Sequence, residues 1–175
     1  KRRLIVFLVK SEKRMAAVLE TLEQSPLQAR LLTGQTGVQI SDIRLQDMTD
    51  EDVEATRRLI GEYCVGIFPN QSLSPEDQLE FVSRFGKVTK TPGVDMRSGV
   101  DFVHVVADRG DPNHPVSGGF HTDTCFVETP PSFSTLHAID VPSHGGDTVF
   151  CNQYMAYDSL SDVMKFWLKG MRFKH

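Results

Sequence analysis

The chain changes character near Gly86, and this change limits the folds that it can adopt. Before Gly86 the apolar residues recur mainly at helical spacing, whereas after it short apolar runs alternate with loops rich in Gly, Pro, Asp and Asn. Helix-forming segments therefore come first and strand-forming segments follow. This order is typical of an α+β fold built on an antiparallel sheet or a jelly roll, and it disfavours a doubly wound parallel sheet.

Three helices are predicted in the first part of the chain. Residues 11–24 carry apolar residues at i, i+3, i+4 and i+7 behind Ser11, a residue type that caps helices. Thr49 precedes an acidic first turn, and Ser74 followed by Pro75 begins another helix. Short strands are predicted at residues 38–42 and 64–68, and residues 4–9 are predicted to be a strand or a docked segment.

The second part of the chain is predicted to be mostly strands. A helix returns only at residues 161–169, with Ser161 as its cap and Gly170 after its last turn. The predicted strands are residues 101–107, 132–139 and 147–152.

Composition argues against several classes of function. The 175 residues suit one domain, and a net charge of −4 without a basic block disfavours nucleic acid and anionic membranes as partners. The apolar run at residues 4–9 is too short to span a bilayer and lacks a signal-peptide cleavage site, so we expect a cytoplasmic protein. Cys64, Cys125 and Cys151 lie far apart, which indicates reduced thiols.

His121 and Asp123 carry the clearest chemical signature. In an extended segment, side chains two residues apart point to the same side, so this imidazole and carboxylate can bind one cation. Two histidines and one carboxylate on one face of an ion form the facial triad of non-haem iron(II) oxygenases. Six histidines and 23 acidic residues in 175 positions make about one His-x-Asp/Glu expected by chance. A surface turn that happens to contain both residues is therefore the alternative.

Several separated motifs accompany this pair in a fixed order. They are Phe120, His121-Thr122-Asp123, Phe126, Pro130-Pro131, Gly145-Gly146-Asp147-Thr148, Ala156-Tyr157, and Gly170-Met171-Arg172 with His175. Their order and spacing resemble the taurine dioxygenase family of Fe(II)- and 2-oxoglutarate-dependent oxygenases. The resemblance covers residues 37–175 and leaves residues 1–36 as an N-terminal extension of unknown role.

The resemblance implies a double-stranded β-helix, also called a jelly roll or cupin-like core, flanked by helices. In that family the second iron-binding histidine and the arginine that pairs with 2-oxoglutarate lie far beyond the position of His175. Residues 37–175 are therefore expected to form roughly the N-terminal two thirds of such a domain, with the fold incomplete at the C-terminus.

The resemblance also implies roles for individual residues. His121 and Asp123 match two of the three ligands of a catalytic iron(II), and Thr148 matches the threonine that holds the distal carboxylate of 2-oxoglutarate. Phe126, with Thr124 beside it, occupies the place of an aromatic that lies against the substrate. The expected reaction uses O2 and 2-oxoglutarate to hydroxylate or desaturate a small organic molecule, with succinate and CO2 as co-products. The presence of Asp123 disfavours halogenation, in which relatives replace this ligand.

Taurine itself is not the expected substrate. Thr91 and Val94 stand where the taurine enzyme has a histidine and a tyrosine, and Ser117 stands where it has an asparagine. A different small organic acid, an amino-acid derivative or a natural-product intermediate is expected, with Lys90 or Arg97 as a partner for its anionic group.

Two other functions fit the same sequence less well. One is a non-catalytic binding or scaffold domain that retains the fold without a complete metal site, and a histidine followed by an arginine downstream of His175 would argue against it. The other is a zinc hydrolase, which ranks last because no HExxH-like segment supplies a glutamate base. The sequence is also compatible with a homo-oligomer.

Overall fold

The computed structural model describes residues 3–8, 25–92, 98–106 and 119–172. These residues form a mixed sheet with helices, which confirms the α+β class; the jelly roll remains a prediction. The elements in chain order are β1 (Arg3–Leu8), β2 (Gln28–Leu31), β3 (Val38–Ser41), a 3-10 turn (Leu45–Asp47), α1 (Asp50–Tyr63), β4 (Val65–Pro69), α2 (Pro75–Ser83), β5 (Phe133–Ala138), α3 (Gln153–Asp158) and α4 (Asp162–Leu168).

The five strands lie in the order β2-β3-β4-β1-β5. β3 and β4 run parallel, and the other neighbouring pairs are antiparallel. β1 lies inside the sheet, where Ile5 is aligned with Ile67 of β4 on one side and Leu136 of β5 on the other. The predicted strand at residues 4–9 is confirmed, and it places part of the N-terminal extension within the sheet.

Helix α1 is the crossover that joins the parallel strands β3 and β4. At its start the Thr49 side chain accepts a hydrogen bond from the Asp52 amide, and the Asp52 carboxylate accepts one from the Thr49 amide. The helix ends at Cys64, whose φ of 66° is left-handed. The predicted cap at Thr49 is confirmed. The strand predicted at residues 64–68 is also present, and it begins one residue later, at Val65.

The core lies where α1 and α2 meet the sheet. Phe81 of α2 contributes to it, with its ring centroid 6.1 Å from that of Phe68 on β4. Burial of each large apolar side chain stabilises the fold by roughly 1.5–3 kcal/mol. The side chains without exposed surface come from β3, α1 and β4 and are Val38, Ile40, Thr56, Leu59, Ile60 and Phe68.

The predicted strand at residues 101–107 is wrong. Residues 101–102 form a turn and residues 103–106 have no regular secondary structure, while residue 107 lies outside the described part. Phe102 has a left-handed φ of 71°, which interrupts extended backbone. The Ser98 hydroxyl also donates to the Val103 carbonyl, so a side chain binds the group that a neighbouring strand would use.

The predicted strand at residues 147–152 is also wrong. These residues have no regular secondary structure, and the last of them, Asn152, instead caps α3. An alternating sequence forms a strand only where a neighbour pairs its backbone, and no strand among the described residues lies beside this segment. By contrast, the strand predicted at residues 132–139 is confirmed as β5.

Helix α4 is confirmed at residues 162–168, with the Ser161 hydroxyl accepting from the Met164 amide. Its apolar side chains are exposed, however, including Val163 at 67% and Trp167 at 63%. The helix predicted at residues 11–24 lies outside the described part of the chain. In that described part, every helix is too short or too polar to cross a bilayer.

Candidate metal-binding site

His121 and Asp123 lie together on an exposed turn. The His121 Nε2 atom is 3.1 Å from the Asp123 Oδ1 atom, and the two side chains are 63% and 34% exposed. Residues 123–126 form the turn, in which Thr124 has a left-handed φ of 49°. The side chains converge as predicted, but through a turn instead of the extended segment that the sequence suggested. A surface turn and a pair of converging donors are thus compatible with each other.

A second hydrogen bond orients the His121 ring. Its Nδ1 atom lies 3.0 Å from the Gly119 carbonyl oxygen. Because a carbonyl only accepts, Nδ1 carries the proton in this arrangement, and the lone pair of the neutral ring falls on Nε2. Nε2 is the nitrogen that faces Asp123, so the ring presents its ligand atom toward the carboxylate.

The same contacts set the protonation of His121. The hydrogen bond to the Gly119 carbonyl, followed by the charge of Asp123, raises the pKa of His121 above its ordinary value. The protonated ring donates from Nε2 to Asp123, and a cation can bind Nε2 only after that proton leaves. Metal binding and protonation therefore compete for one atom.

The donor set fits iron(II) in part. An imidazole nitrogen and a carboxylate oxygen are two of the three protein ligands in a facial triad. Among the residues that the structure describes, no group of three His, Cys, Asp or Glu side chains is placed to hold a metal ion. A third ligand must therefore come from elsewhere in the protein if the site is to be complete.

Phe126 lies on the same turn as the pair. Its side chain is 56% exposed, and Phe120, just before His121, is 73% exposed. Buried phenylalanines usually pack in the core, but neither of these two rings is buried in the described structure. Thr124, which lies between them in sequence, is half-buried. The assignment of Thr124 and Phe126 to a substrate pocket stays a prediction.

Thr148 lies on a different loop from the His121 and Asp123 pair. It is exposed, and the preceding Gly145 and Gly146 have left-handed φ values of 76° and 69°, which glycine adopts without strain. Asn152 follows as the cap of α3, a role that was not predicted from the sequence. The signal was an asparagine directly before a helical run, since asparagine is among the strongest N-cap residues.

The residues predicted to contact the substrate are only partly visible. Thr91 is half-buried, whereas Val94, Arg97 and Ser117 lie outside the described residues. The neighbouring Lys90 forms an ion pair with the carboxylate of Asp101. Its Nζ atom is 2.7 Å from Oδ1 of Asp101 and 5.2 Å from the ring centroid of Phe102.

A family of known enzymes matches most of the chain. The sequence model described as "Taurine catabolism dioxygenase TauD, TfdA family" matches residues 24–172. The resemblance seen in the sequence starts at residue 37, whereas this match starts at residue 24. The match includes all the candidate site residues.

Individual relatives agree with this match. The alkylsulfatase of Acinetobacter baylyi is 32% identical over 152 residues, which cover 84% of this chain and 47% of the relative. The alpha-ketoglutarate-dependent 2,4-dichlorophenoxyacetate dioxygenase of Cupriavidus pinatubonensis is 32% identical, covering 79% of this chain and 54% of the relative. The alpha-ketoglutarate-dependent sulfonate dioxygenase of Saccharomyces cerevisiae is 27% identical, and the match covers 85% of this chain and 39% of the relative. The chain thus spans about half the length of the curated relatives it matches.

Proposed function

Because this chain belongs to the taurine catabolism dioxygenase TauD, TfdA family, we propose that its protein is an iron(II)- and 2-oxoglutarate-dependent dioxygenase. Its substrate is a small organic anion, which it hydroxylates or desaturates. The complete domain is a double-stranded β-helix, to which residues 37–175 contribute the N-terminal part.

The observation that carries the proposal is the convergence of His121 and Asp123. Their facing atoms are 3.1 Å apart, and a main-chain carbonyl fixes the ring so that Nε2 points toward the carboxylate. One ion between two such donors needs little rearrangement of the turn. The third ligand is a histidine in the part of the protein that the relatives have and this chain does not span.

The residues of this chain bind and orient the reactants. His121 and Asp123 hold the metal, and the Thr148 hydroxyl donates to the distal carboxylate of 2-oxoglutarate, as the family resemblance implies. Iron(II), when bound, supplies the oxygen chemistry in which O2 and 2-oxoglutarate give succinate and CO2 while the second oxygen atom enters the substrate. Phe126 and Thr124 line the approach to the metal from the same turn.

The substrate class follows from what the relatives share. Their names specify sulfonates, 2,4-dichlorophenoxyacetate, (S)-phenoxypropionate and sulfate esters, all of which carry an organic group with an anionic head. We therefore propose that the substrate of this protein carries a sulfonate, sulfate ester or carboxylate group. Lys90 is not the first choice as its partner, because Asp101 already neutralises that ammonium group.

The test is co-product formation by the full-length protein. Purified protein is supplied with Fe(II), 2-oxoglutarate and O2 together with an alkyl sulfonate, an alkyl sulfate ester or a phenoxyacetate, and succinate is measured. We expect at least one anion to raise succinate formation about tenfold over its neutral analogue, since charge-assisted contacts favour the anion. Equal rates with the neutral analogue would remove the anionic substrate class. No succinate with any substrate would leave the non-catalytic binding domain as the better reading.

A further inference from the structure

Asn152 connects two parts of the chain that are distant in sequence. Its Nδ2 atom donates to the carbonyl oxygen of Gln35 at 3.3 Å and to the hydroxyl oxygen of Thr36 at 3.2 Å. Its Oδ1 atom accepts from the amides of Tyr154 and Met155, which begin α3. One side chain therefore starts a helix with its oxygen and holds a remote loop with its nitrogen.

The loop that receives this contact is itself held by hydrogen bonds. It joins β2 to β3, and the Thr33 hydroxyl donates to the Thr36 carbonyl at 2.7 Å and accepts from the Thr36 amide. At its end, the Gly37 amide donates to the carbonyl of Tyr63, a core residue that is 1% exposed. Asn152 is thus linked to the core through a short series of hydrogen bonds.

Thr148 lies four residues before Asn152, in a segment without regular secondary structure. No strand among the described residues pairs with its backbone, so contacts at its ends contribute to its position. Upstream lies the Gly145-Gly146 turn, where the backbone is left-handed, and downstream lies Asn152. Four residues span at most about 14 Å, so an anchor at Asn152 limits how far Thr148 can move.

We infer that Asn152 is a positioning residue for 2-oxoglutarate, because it holds the loop that carries Thr148 against the β2–β3 loop. The inference rests on the proposed function, which gives Thr148 its contact with the co-substrate. An asparagine is required because the position needs an acceptor for the helix and a donor for the loop. Aspartate and serine cap helices equally well, but an ionised aspartate offers no donor to the Gln35 carbonyl.

Asn152→Asp in the full-length protein separates the two roles. It retains the cap of α3 and places a carboxylate against the Gln35 carbonyl oxygen, so the hydrogen bond to that carbonyl is lost. We expect binding of 2-oxoglutarate to weaken about tenfold, the lower end of what the loss of an outer-shell partner costs. The binding is measured by anaerobic calorimetry with Fe(II) present, and the KM for 2-oxoglutarate should rise while the KM for the organic substrate stays constant.

Two further variants complete the test. Thr36→Val removes the hydroxyl that accepts a hydrogen bond from Asn152 and leaves Asn152 itself unchanged. It should also weaken 2-oxoglutarate binding, by about threefold. Ser161→Ala removes the cap of α4 and leaves the link intact, so its affinity for 2-oxoglutarate should equal that of the wild type. Amide exchange at Thr36 should be faster in Asn152→Asp than in the wild type. In Ser161→Ala, exchange at Thr36 should stay at the wild-type rate.

The outcomes distinguish the inference from the function beneath it. Wild-type affinity for 2-oxoglutarate in Asn152→Asp, with faster exchange at Thr36, would show that the link exists but does not position the co-substrate. An equal loss in Ser161→Ala would reduce the effect to general destabilisation and overturn the inference. A wild-type protein that binds no 2-oxoglutarate would overturn the proposed function, and the inference with it.

Discussion

The carbonyl of Gly119 decides which nitrogen of His121 can bind a metal. It engages Nδ1 at 3.0 Å, and Nε2 is left facing Asp123. A sequence pattern cannot show this, because a main-chain carbonyl is present at every position and only the turn brings this one into range. The pair itself could be predicted from residue types and spacing, but its orientation could not.

His121→Ala should weaken Fe(II) binding to the full-length protein by at least about 100-fold, more than the loss of an outer-shell partner usually costs. The measurement is anaerobic competition with a chelating dye. His144→Ala is the matched control, because His144 is also exposed and its ring nitrogen contacts only the adjacent Ser143 hydroxyl among the described hydrogen bonds. Equal affinities in the two variants would exclude His121 as a ligand.

Gln71 shows how one buried polar side chain supports the fold. It is 4% exposed, its Oε1 atom accepts from the Leu45 amide, and its Nε2 atom donates to the carbonyls of Ile43 and Pro69. Gln71→Ala leaves these backbone groups without their partner. We expect the free energy of unfolding to fall by about 2–3 kcal/mol in urea titrations.

The control for Gln71 is Gln46→Ala. Gln46 is exposed, donates to the Ser72 carbonyl and also bonds the exposed Asp77 carboxylate, so its partners lie within reach of water. Its removal should change the unfolding free energy by less than about 0.5 kcal/mol, because water replaces the lost partner. A similar loss in both variants would contradict the role given to Gln71.

At the scale of elements, helices were easier to predict than strands. Thr49, Ser74 and Ser161 cap helices as their sequences indicated, because a cap depends on residues within one turn. The strands predicted at residues 101–107 and 147–152 are wrong, because a strand depends on a neighbour that can lie anywhere in the chain. Local patterns therefore predicted these three caps but missed α3, and they failed for two of the strands.

Helix α2 should show a pH-dependent contribution to stability from its cap. The Ser74 amide donates to the Asp77 carboxylate at 2.8 Å, and this bond lowers the pKa of Asp77 below its ordinary 3.8. A lowered folded-state pKa means that the contribution is complete above the unfolded value and is lost as pH falls through the folded value. The wild type should therefore exceed Asp77→Asn in urea midpoint at neutral pH, and the two should converge in acid.

Glu76→Gln is the control for this titration. Glu76 lies in the same first turn and has the same charge, but Asp77 is the partner of the Ser74 cap. A difference between wild type and Glu76→Gln that follows the same pH course would assign the effect to the helix dipole instead of the cap.

At the scale of the whole molecule, buried and exposed apolar residues are distributed unevenly. The described core comes mainly from residues 27–81, whereas exposed large apolar side chains are concentrated between Phe120 and Met171. Exposed apolar surface of this extent usually marks an interface. Since the chain spans about half of its relatives, we expect the remainder of the protein to cover this surface.

Hydroxyl-radical footprinting of the full-length protein tests this expectation. Trp167 is 63% exposed in the present chain, and Tyr63 is 1% exposed. If the remainder of the protein packs on α4, Trp167 should be modified at a rate within about threefold of Tyr63 after correction for intrinsic reactivity. Modification at the rate of a solvent-exposed tryptophan would show that α4 remains uncovered.

The position of β1 illustrates the limit of prediction at this scale. Its strand character was evident from a short apolar run, but its place between β4 and β5 was not, since no local feature specifies which strands a segment joins. The proposed metal site has the same limit. His121 and Asp123 are near each other in sequence and could be predicted as a pair, whereas a ligand from a distant segment could not.

The measurement that tests the iron site most directly is an anaerobic titration of the full-length protein with Fe(II) and 2-oxoglutarate. A weak visible charge-transfer band should appear, saturate at one iron per protein, and be absent from Asp123→Ala. Admission of O2 should then remove the band and yield succinate. A protein that shows no band at saturating Fe(II) and 2-oxoglutarate, and forms no succinate with O2, would contradict the assignment of His121 and Asp123 to a catalytic iron site.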